Sequence, residues 1–398
     1  MADGSRIWRP GRARGRAGRL AASLVATLAA AGMMSLPLAA GAAARPAPAA
    51  AVVAGELHGV SCSSAGACMA VGDHLSVSGG LGGTPTERWN GADWSVVPSP
   101  SPRHFPHAGA ELDGVSCVSA SDCLAVGWHL FSNSSPRRLP LADRWNGTAW
   151  SQVNAPLPSG SFSTSLAAVS CTSATNCWAD GVSDAATLTE HWNGTRWSIV
   201  PSPNPSPSNG NLLSGVACPA ASECWAVGLT TPSSGTGSLT EQWNGTRWSV
   251  RSTPSSANGR LAAVACARLA PCLAVGQDDS GFALGQMWNS SRWIAEKPVK
   301  PSGATTSGLD AVSCPSDACV AVGQYKAGGP VVSLAEGWSG TTWGVEPTPN
   351  PAGATFTFLQ GVSCASLNNC WAAGEWGSSS GTHTLTEHWN GHAWSIVA

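Results

Sequence analysis

Fourteen cysteines in the 398-residue chain fall into closely spaced pairs. The seven pairs are Cys62/Cys68, Cys117/Cys123, Cys171/Cys177, Cys218/Cys224, Cys266/Cys272, Cys314/Cys319 and Cys364/Cys370. A zinc site would need shorter C-x₂₋₄-C spacing and further ligands, and no histidine recurs at a constant offset from these pairs. Each pair flanks a predicted hairpin loop, and facing residues of a hairpin lie within disulfide range. We therefore predict seven local disulfides, with no metal site and no cofactor.

A second recurring group is an acidic residue two positions before a tryptophan. It is present in six repeats and replaced by Gln286 in the fifth; the acids are Glu87, Asp143, Glu190, Glu241, Glu336 and Glu387. Catalysis needs such an acid once, whereas a buried carboxylate in every repeat needs a hydrogen-bond donor in every repeat. The pattern therefore favours structural acceptors for indole or backbone N–H groups over a ring of catalytic carboxylates.

The sequence offers little that points to catalysis. It contains no H-E-x-x-H motif and no EF-hand loop. Asp180, Asp184, Glu375 and the pair Asp278-Asp279 are expected in loops, so paired carboxylates for glycoside hydrolysis stay an open alternative. We predict no catalytic residue and keep an extracellular carbohydrate-active enzyme, a hydrolase or a lyase, as the alternative.

All of these residues belong to a repeat of 47 to 55 residues. In the third repeat the first half reads LAAVSCTSATNCWADG and the second half reads EHWNGTRW. The repeats start near Leu57, Leu112, Leu166, Leu213, Leu261, Leu309 and Leu359. Self-similarity at this period is typical of propellers and solenoids.

Each repeat is predicted to form four short antiparallel strands. Apolar alternation and β-branched residues favour strands, and Asn-Gly between the third and fourth strands is a strong hairpin signal. Seven such units predict an all-β fold, a seven-bladed β-propeller with one disulfide per blade. A solenoid is the alternative, but a closed ring protects sheet edges better. The paired tryptophans, such as Trp192 and Trp197, are expected to pack blade against blade.

The pattern LxxVSCxSxxxCxAVG followed by ExWNGTxW resembles exported repeat proteins of actinobacteria. It is also similar to the Asp-box, or BNR-like, propellers, which carry S-x-D-x-G-x-T-W between the third and fourth strands. Gly194 and Trp197 match the Gly and Trp of that motif, while Glu190 and Trp192 stand at its Ser and Asp positions. The resemblance covers residues 56–398 and implies a propeller without implying an activity.

The N-terminus predicts export. Residues 1–44 combine six arginines, an Ala/Leu-rich stretch and an A-x-A site, which is typical of a cleaved signal peptide; an uncleaved anchor is the alternative. Residues 45–55 form an Ala/Pro-rich linker. We expect the ring to close without an exchanged strand; the alternative is that Ala49–Ala54 adds an outer strand to the last blade. Cleavage after residue 44 removes six Arg and one Asp, and so changes the formal net charge of the chain from −2 to −7. We therefore expect a secreted or envelope-associated protein with no membrane span after cleavage and no nucleic-acid partner.

Binding residues are predicted on one face of the disc. The Cys hairpins and WNG turns share one face and hardly vary, whereas the second-to-third loops and crossovers on the other face vary widely, as binding loops do. The candidates there are Trp128, His129, Phe131, Arg137, Arg138, Tyr325 and Trp376; the alternative is that they only pack long loops. We predict a monomeric, non-catalytic binding module for an extracellular glycan or protein, with a structural envelope protein as a further alternative.

Overall fold

The described part of the chain consists of strands, turns and loops. The computed structural model describes residues 54–75, 81–100, 109–131, 137–206, 210–232, 235–256, 258–267 and 271–397. They belong to one compact unit, Ala49–Ala398, and within these ranges there is no helix that is long and apolar enough to cross a membrane. The predicted signal peptide and the linker up to residue 53 lie outside the described residues.

Each sequence repeat forms one antiparallel unit of strands. The first unit contains β1 (Glu56–Ser64), β2 (Ala67–Leu75), β3 (Leu81–Gly83), β4 (Thr86–Trp89) and β5 (Trp94–Val97). The second contains β6 (Ala110–Ser119), β7 (Asp122–Leu130), β8 (Arg138–Trp145) and β9 (Trp150–Gln152). The third contains β10 (Thr164–Ser173), β11 (Asn176–Ser183), β12 (Ala186–Trp192) and β13 (Trp197–Ile199). The fourth contains β14 (Asn211–Ala220), β15 (Glu223–Thr230), β16 (Gly237–Trp243) and β17 (Trp248–Val250).

The last three units follow the same order. The fifth contains β18 (Gly259–Cys266), β19 (Cys272–Asp278), β20 (Ala283–Trp288) and β21 (Trp293–Glu296). The sixth contains β22 (Thr306–Ser313), β23 (Cys319–Lys326), β24 (Val331–Trp338) and β25 (Trp343–Glu346). The seventh contains β26 (Phe356–Ser366), β27 (Asn369–Ser378), β28 (Gly381–Trp389) and β29 (Trp394–Ile396). The predicted all-β fold of four-stranded antiparallel units is confirmed; the first unit differs by the short extra strand β3.

A bulge in the first strand sets the register of every unit. In the third unit Leu166 faces Gly181 while Ala168 faces Asp180, so Ala167 is an extra residue. A side chain on Gly181 would collide with the carbonyl oxygen of Ser165. The glycine that ends the CxAVG motif is therefore required by the close approach of the first strand rather than by a turn.

One row of Cys and Trp residues crosses each unit. In the third unit Cys171 pairs with Cys177, Cys177 with Trp192, and Trp192 with Trp197. All seven predicted disulfides are confirmed, with Cα–Cα distances of 3.9–4.1 Å. Each disulfide thus ties the first strand to the second directly beside the tryptophan pair.

The two cysteines of a disulfide differ in exposure, which the sequence does not show. The first cysteine of each pair is half-buried: Cys62, Cys117, Cys171, Cys218, Cys266, Cys314 and Cys364. The second is buried, at most 4% exposed: Cys68, Cys123, Cys177, Cys224, Cys272, Cys319 and Cys370. These second cysteines pack in the apolar clusters with the tryptophans. The second cysteine of each disulfide is therefore part of the apolar core, as well as a partner in the predicted bridge.

The Cys hairpins and the WNG turns lie on the same face, as predicted. Trp192 Nε1 donates to the carbonyl of Ala174 in the Cys hairpin at 3.2 Å. The side-chain oxygen of Asn193 accepts from the backbone N–H groups of Thr195 and Arg196 at 3.0 Å, which fixes the turn. The connection is four residues long, with Gly194 at a φ of 95°.

Tryptophans pack one unit against the next. Trp178, on the second strand of the third unit, lies 4.5 Å from Trp243 and 5.2 Å from Trp248 of the fourth unit, measured between ring centroids. Trp225 contacts the fifth unit and Trp371 the first unit in the same way. The buried apolar clusters accordingly combine residues of neighbouring units, which confirms the predicted packing role of the tryptophan pairs.

Serine hydroxyls link the first strands of adjacent units. Ser116 Oγ accepts from the backbone N–H of Cys171 at 3.1 Å, and three equivalent bonds run from Cys117 to Ser61, Cys218 to Ser170, and Cys364 to Ser313. A fifth bond runs from Cys62 of the first unit to Ser363 of the seventh at 2.9 Å. The two junctions without this bond carry alanine, Ala217 and Ala265, at the serine position. The first and last units are thus joined by the same bond as interior neighbours.

The N-terminal segment reaches the last unit at one described residue. Ala54 forms an antiparallel bridge with His383 of β28, and the N–H of Gly55 donates to Thr382 O at 3.4 Å. The rest of this alternative outer strand, residues 49–53, lies outside the described residues.

Candidate functional site

Five of the seven predicted binding residues lie together in the second unit. Trp128 and His129 are on β7, Phe131 follows it, and Arg137 and Arg138 lie at the start of β8. The other two belong to different units: Tyr325 is on β23 of the sixth and Trp376 on β27 of the seventh. The second unit therefore provides a surface, whereas Tyr325 and Trp376 are separate positions.

Trp128 is buried beneath an arginine. Its side chain keeps 5% of its surface exposed, and the guanidinium of Arg138 lies 3.9 Å from the ring centroid. A cation over an aromatic face is stabilising, but it also covers the surface on which a ligand would stack. Arg138 is itself exposed, so the contact offers a charged group to solvent and hides the indole.

Arg137 ties the second unit to a loop of the third. Its Nε donates to the carbonyl of Phe162 at 3.0 Å and its Nη2 to that of Ser161 at 3.3 Å. The guanidinium also lies 5.6 Å from the ring centroid of Phe162. Phe162 is 57% exposed, so this contact fixes a solvent-facing aromatic ring.

A concave surface of about 570 Å³ adjoins these residues. Its lining includes His129, Phe131, Pro140, Gln152, Asn154 and Leu157. Phe131 and Leu157 are 43% and 40% exposed, and the amides of Gln152 and Asn154 are also exposed. An apolar ring beside exposed amide groups can stack on a flat ligand and hydrogen-bond its rim.

Tyr325 and Trp376 pack mainly within the protein. Tyr325 is half-buried against the core between the fifth and sixth units. Trp376 is half-buried against the seventh-unit core, and its ring lies 4.8 Å from that of His383. Both positions fit the alternative that the aromatics of the long loops serve packing.

A cluster that sequence reasoning missed lies where the first, second and seventh units meet. His58 Nε2 lies 2.9 Å from Asp73 Oδ1 and 3.6 Å from Glu111 Oε1. Its Nδ1 lies 2.8 Å from Gln360 Oε1 of the seventh unit. His58 is the bulge residue of the first strand, and Asp73 follows the CxAVG glycine. Both positions vary between repeats, and this variation is the sequence signal that could have indicated the site.

The cluster is strongly acidic. Burial lowers the pKa of His58, but its hydrogen bond to Asp73 and the charges of Glu111 and Asp113 outweigh this and raise the pKa to about 10. Burial raises the pKa of Glu375 to about 8, and Glu56 beside it adds to the shift. His58 is therefore an imidazolium among carboxylates at neutral pH.

This arrangement does not match the geometry of common sugar-cleaving sites. Glycosidase carboxyl groups stand about 5–9.5 Å apart across the scissile bond, whereas Glu56 and Glu375 are hydrogen-bonded to each other. A general base must be deprotonated near the working pH, and the pKa of His58 lies well above neutral. Three carboxylates that were expected in loops lie in strands instead: Asp180 is in β11, Glu375 is in β27 and Asp278 ends β19.

The recurring third-strand acids are buried, but their partners differ from the expectation. Glu336 Oε2 accepts from the backbone N–H of Val299 at 2.7 Å, as predicted for a structural acceptor. The predicted indole partners are wrong, because Trp145, Trp192 and Trp389 donate to backbone carbonyls instead. The described residues offer no hydrogen-bond partner to four of the acids, namely Asp143, Glu190, Glu241 and Glu387.

Comparisons with known proteins show the fold. No family model and no curated protein matches the chain. An ulvan lyase of a new polysaccharide lyase family superposes with a TM-score of 0.54 at 9% identity, covering 87% of this chain and 97% of that one. The β-propeller domain of the Trilobed protease from Pyrococcus furiosus gives 0.51 at 6%, covering 87% and 96%. YCF48 from Cyanidioschyzon merolae gives 0.50 at 14%, covering 83% and 96%. The chain is therefore similar to β-propellers, a fold shared by proteins of different activities.

Proposed function

We propose that the chain is an exported, monomeric, seven-bladed β-propeller that binds an extracellular glycan without catalysis. Residues 1–44 are its signal peptide, 45–55 its linker and 56–398 its propeller. The recurring Cys and WNG motifs also support a relationship to exported actinobacterial repeat proteins and to BNR-like propellers. Seven disulfides support an oxidising compartment outside the cytoplasm.

The observation that carries the proposal is the concave surface of the second unit. It combines the exposed ring of Phe131 with the exposed amides of Gln152 and Asn154. Sugar rings stack on aromatic faces and offer hydroxyl groups to amides, and a few polar groups placed in an apolar hollow give orientation. Arg138 directly precedes the lining residues Leu139 and Pro140 in the chain, so a hydroxyl-rich glycan with or without acidic groups fits this unit.

The test is a glycan array probed with the exported, oxidised protein, followed by titration of the glycan that binds. Phe131→Ala and Gln152→Ala should each weaken binding by roughly tenfold, about 1.4 kcal/mol. The matched control is Arg196→Ala, since Arg196 is an exposed residue of a WNG turn on the opposite face; it should leave affinity unchanged. Trp128→Ala is not a clean probe, because removing a buried indole leaves a cavity.

Two results would contradict the proposal. One is an array on which the folded protein binds no glycan. The other is a glycan whose affinity is unchanged in Phe131→Ala and Gln152→Ala but falls in Arg196→Ala, which would place the binding surface on the WNG face.

A further inference from the structure

Three side chains with metal-ligand atoms converge at the start of the first unit. Glu56 and His58 lie on β1, and Asp73 lies opposite Glu56 on β2. One ligand atom from each of the three lies within 4.8 Å of the others. The bulge after Leu57 places His58 where it reaches Asp73, so the same irregularity that sets the register also assembles this group.

A buried, unpartnered oxygen is part of the group. Asp73 is 3% exposed, and its Oδ1 accepts the hydrogen bond from His58 Nε2. Its Oδ2 is buried and has no hydrogen-bond partner among the described residues. A buried carboxylate oxygen is costly unless it is hydrogen-bonded or coordinates a metal, so this atom indicates that a further group belongs here.

The surrounding charge indicates the sign of that group. Glu111 lies 3.6 Å from His58, Asp113 is hydrogen-bonded to Glu111, and Glu375 is hydrogen-bonded to Glu56. Five carboxyl groups therefore surround one imidazole. A divalent ion in place of the imidazole proton would add positive charge to this acidic cluster, and the side chain of His58, 14% exposed, leaves the cluster open to solvent.

We propose that Glu56, His58 and Asp73 bind one divalent transition-metal ion of the zinc class. An imidazole nitrogen with two carboxylates is a donor set that suits zinc and its neighbours, whereas calcium takes six to eight oxygens. On binding, the Nε2 proton of His58 would be released to solvent, and the ion would replace the hydrogen bond between His58 and Asp73 as their link. It would also offset the carboxylates of the first, second and seventh units and so stabilise the junction at which Gln360 and Glu375 approach β1.

The test is calorimetric titration of Zn²⁺ into untagged protein freed of metal by a chelator. All fourteen cysteines are in disulfides, so thiolates do not compete. One ion per chain is expected, and Asp73→Asn and Glu56→Gln should each weaken binding by roughly tenfold or more. Co²⁺ should give a visible absorption spectrum that these variants lose. The control is Asp310→Asn, which changes a carboxylate at the position of His58 in the sixth unit and should bind normally.

Three results would overturn the proposal: no Zn²⁺ bound at one ion per chain, unchanged affinity in folded Asp73→Asn and Glu56→Gln, or tight binding of Ca²⁺ in place of Zn²⁺. Circular dichroism checks that each variant is folded. If Asp73→Asn does not fold, Glu56→Gln decides, because Glu56 is only half-buried.

Discussion

Burial keeps the third-strand acids of this protein neutral. Glu190, Glu241 and Glu387 are fully buried, and burial raises the pKa of each to about 8. Asp143 follows with a pKa of about 7 for the same reason. Desolvation penalises the charged form of a carboxyl group, so the folded state favours the protonated form of the three glutamic acids at neutral pH and that of Asp143 below it.

The first prediction concerns stability against pH. A carboxyl with a pKa of about 8 in the folded state and an ordinary pKa when unfolded binds its proton more tightly in the native protein. Its contribution to stability is therefore complete below the unfolded pKa and is lost as the pH rises through about 8. We expect the melting temperature to be higher at pH 5 than at pH 9, and Glu190→Gln to reduce this difference, as measured by calorimetry.

The melting temperature of Glu190→Gln should exceed that of the native protein at pH 9, where the carboxyl of Glu190 would ionise. Each kcal/mol recovered corresponds to about 1–2 °C in the melting temperature of a chain of this size. Asp93→Asn is the control, because Asp93 is exposed in the first WNG turn and should not change the pH dependence. If the melting temperature depends on pH equally in the native protein and in Glu190→Gln, then Glu190 is ionised in the folded state.

At this scale the sequence predicts repeated features well and unique ones poorly. The cysteine pairs recur in every repeat, so their pairing follows from spacing alone. Glu56, His58 and Asp73 each occupy a variable position, and only the β1–β2 register brings them together. Trp128 was expected at the binding surface, but a sequence does not show that Arg138 covers its ring.

At the scale of elements, the first two strands of each unit depend on one glycine. Gly127 faces Leu112 beside the bulge of β6, and a Cβ there would collide with the carbonyl oxygen of Glu111. The LxxV and CxAVG motifs were predicted as strands from alternation and turn residues. The bulge was not predicted, although Leu112 and Val115 record it: they are three residues apart, yet they face Gly127 and Ala125 on the same side of the sheet.

The second prediction is that Gly127→Ala destabilises the protein by more than a core truncation does, about 3 kcal/mol or more. The collision involves backbone atoms on both sides, so the strands must separate or shift register. Gly344→Ala is the control, since Gly344 lies in strand β25 and a Cβ there would contact nothing within 4 Å. Urea unfolding of the oxidised proteins measures both. Similar midpoints for the two variants would mean that the bulge can move away at little cost.

At the scale of the whole molecule, the junction between the last and first units resembles the interior junctions. Trp371 of the seventh unit lies 4.6 Å from Trp89 and 5.2 Å from Trp94 of the first. Trp225 of the fourth lies 4.5 Å and 5.1 Å from the equivalent pair in the fifth. The serine bond and the contact of His58 with Gln360 cross the same junction. These contacts support closure of a seven-bladed ring.

The third prediction tests that closure by comparing two tryptophans. In a closed ring, Trp371→Ala and Trp225→Ala remove equivalent buried indoles, 2% and 0% exposed, and each should cost about 3–5 kcal/mol in the free energy of unfolding. In an open array the ends separate, Trp371 loses its partners in the first unit, and Trp371→Ala costs much less than Trp225→Ala. Urea unfolding under oxidising conditions measures the two costs. The comparison needs no knowledge of the glycan, because both residues lie between units and neither lines the second-unit surface. Both variants are measured in metal-free protein, because the cluster around His58 lies at the same junction as Trp371. Near-equal losses support the ring, whereas a small loss confined to Trp371→Ala would show that the first and last units are not held together in solution.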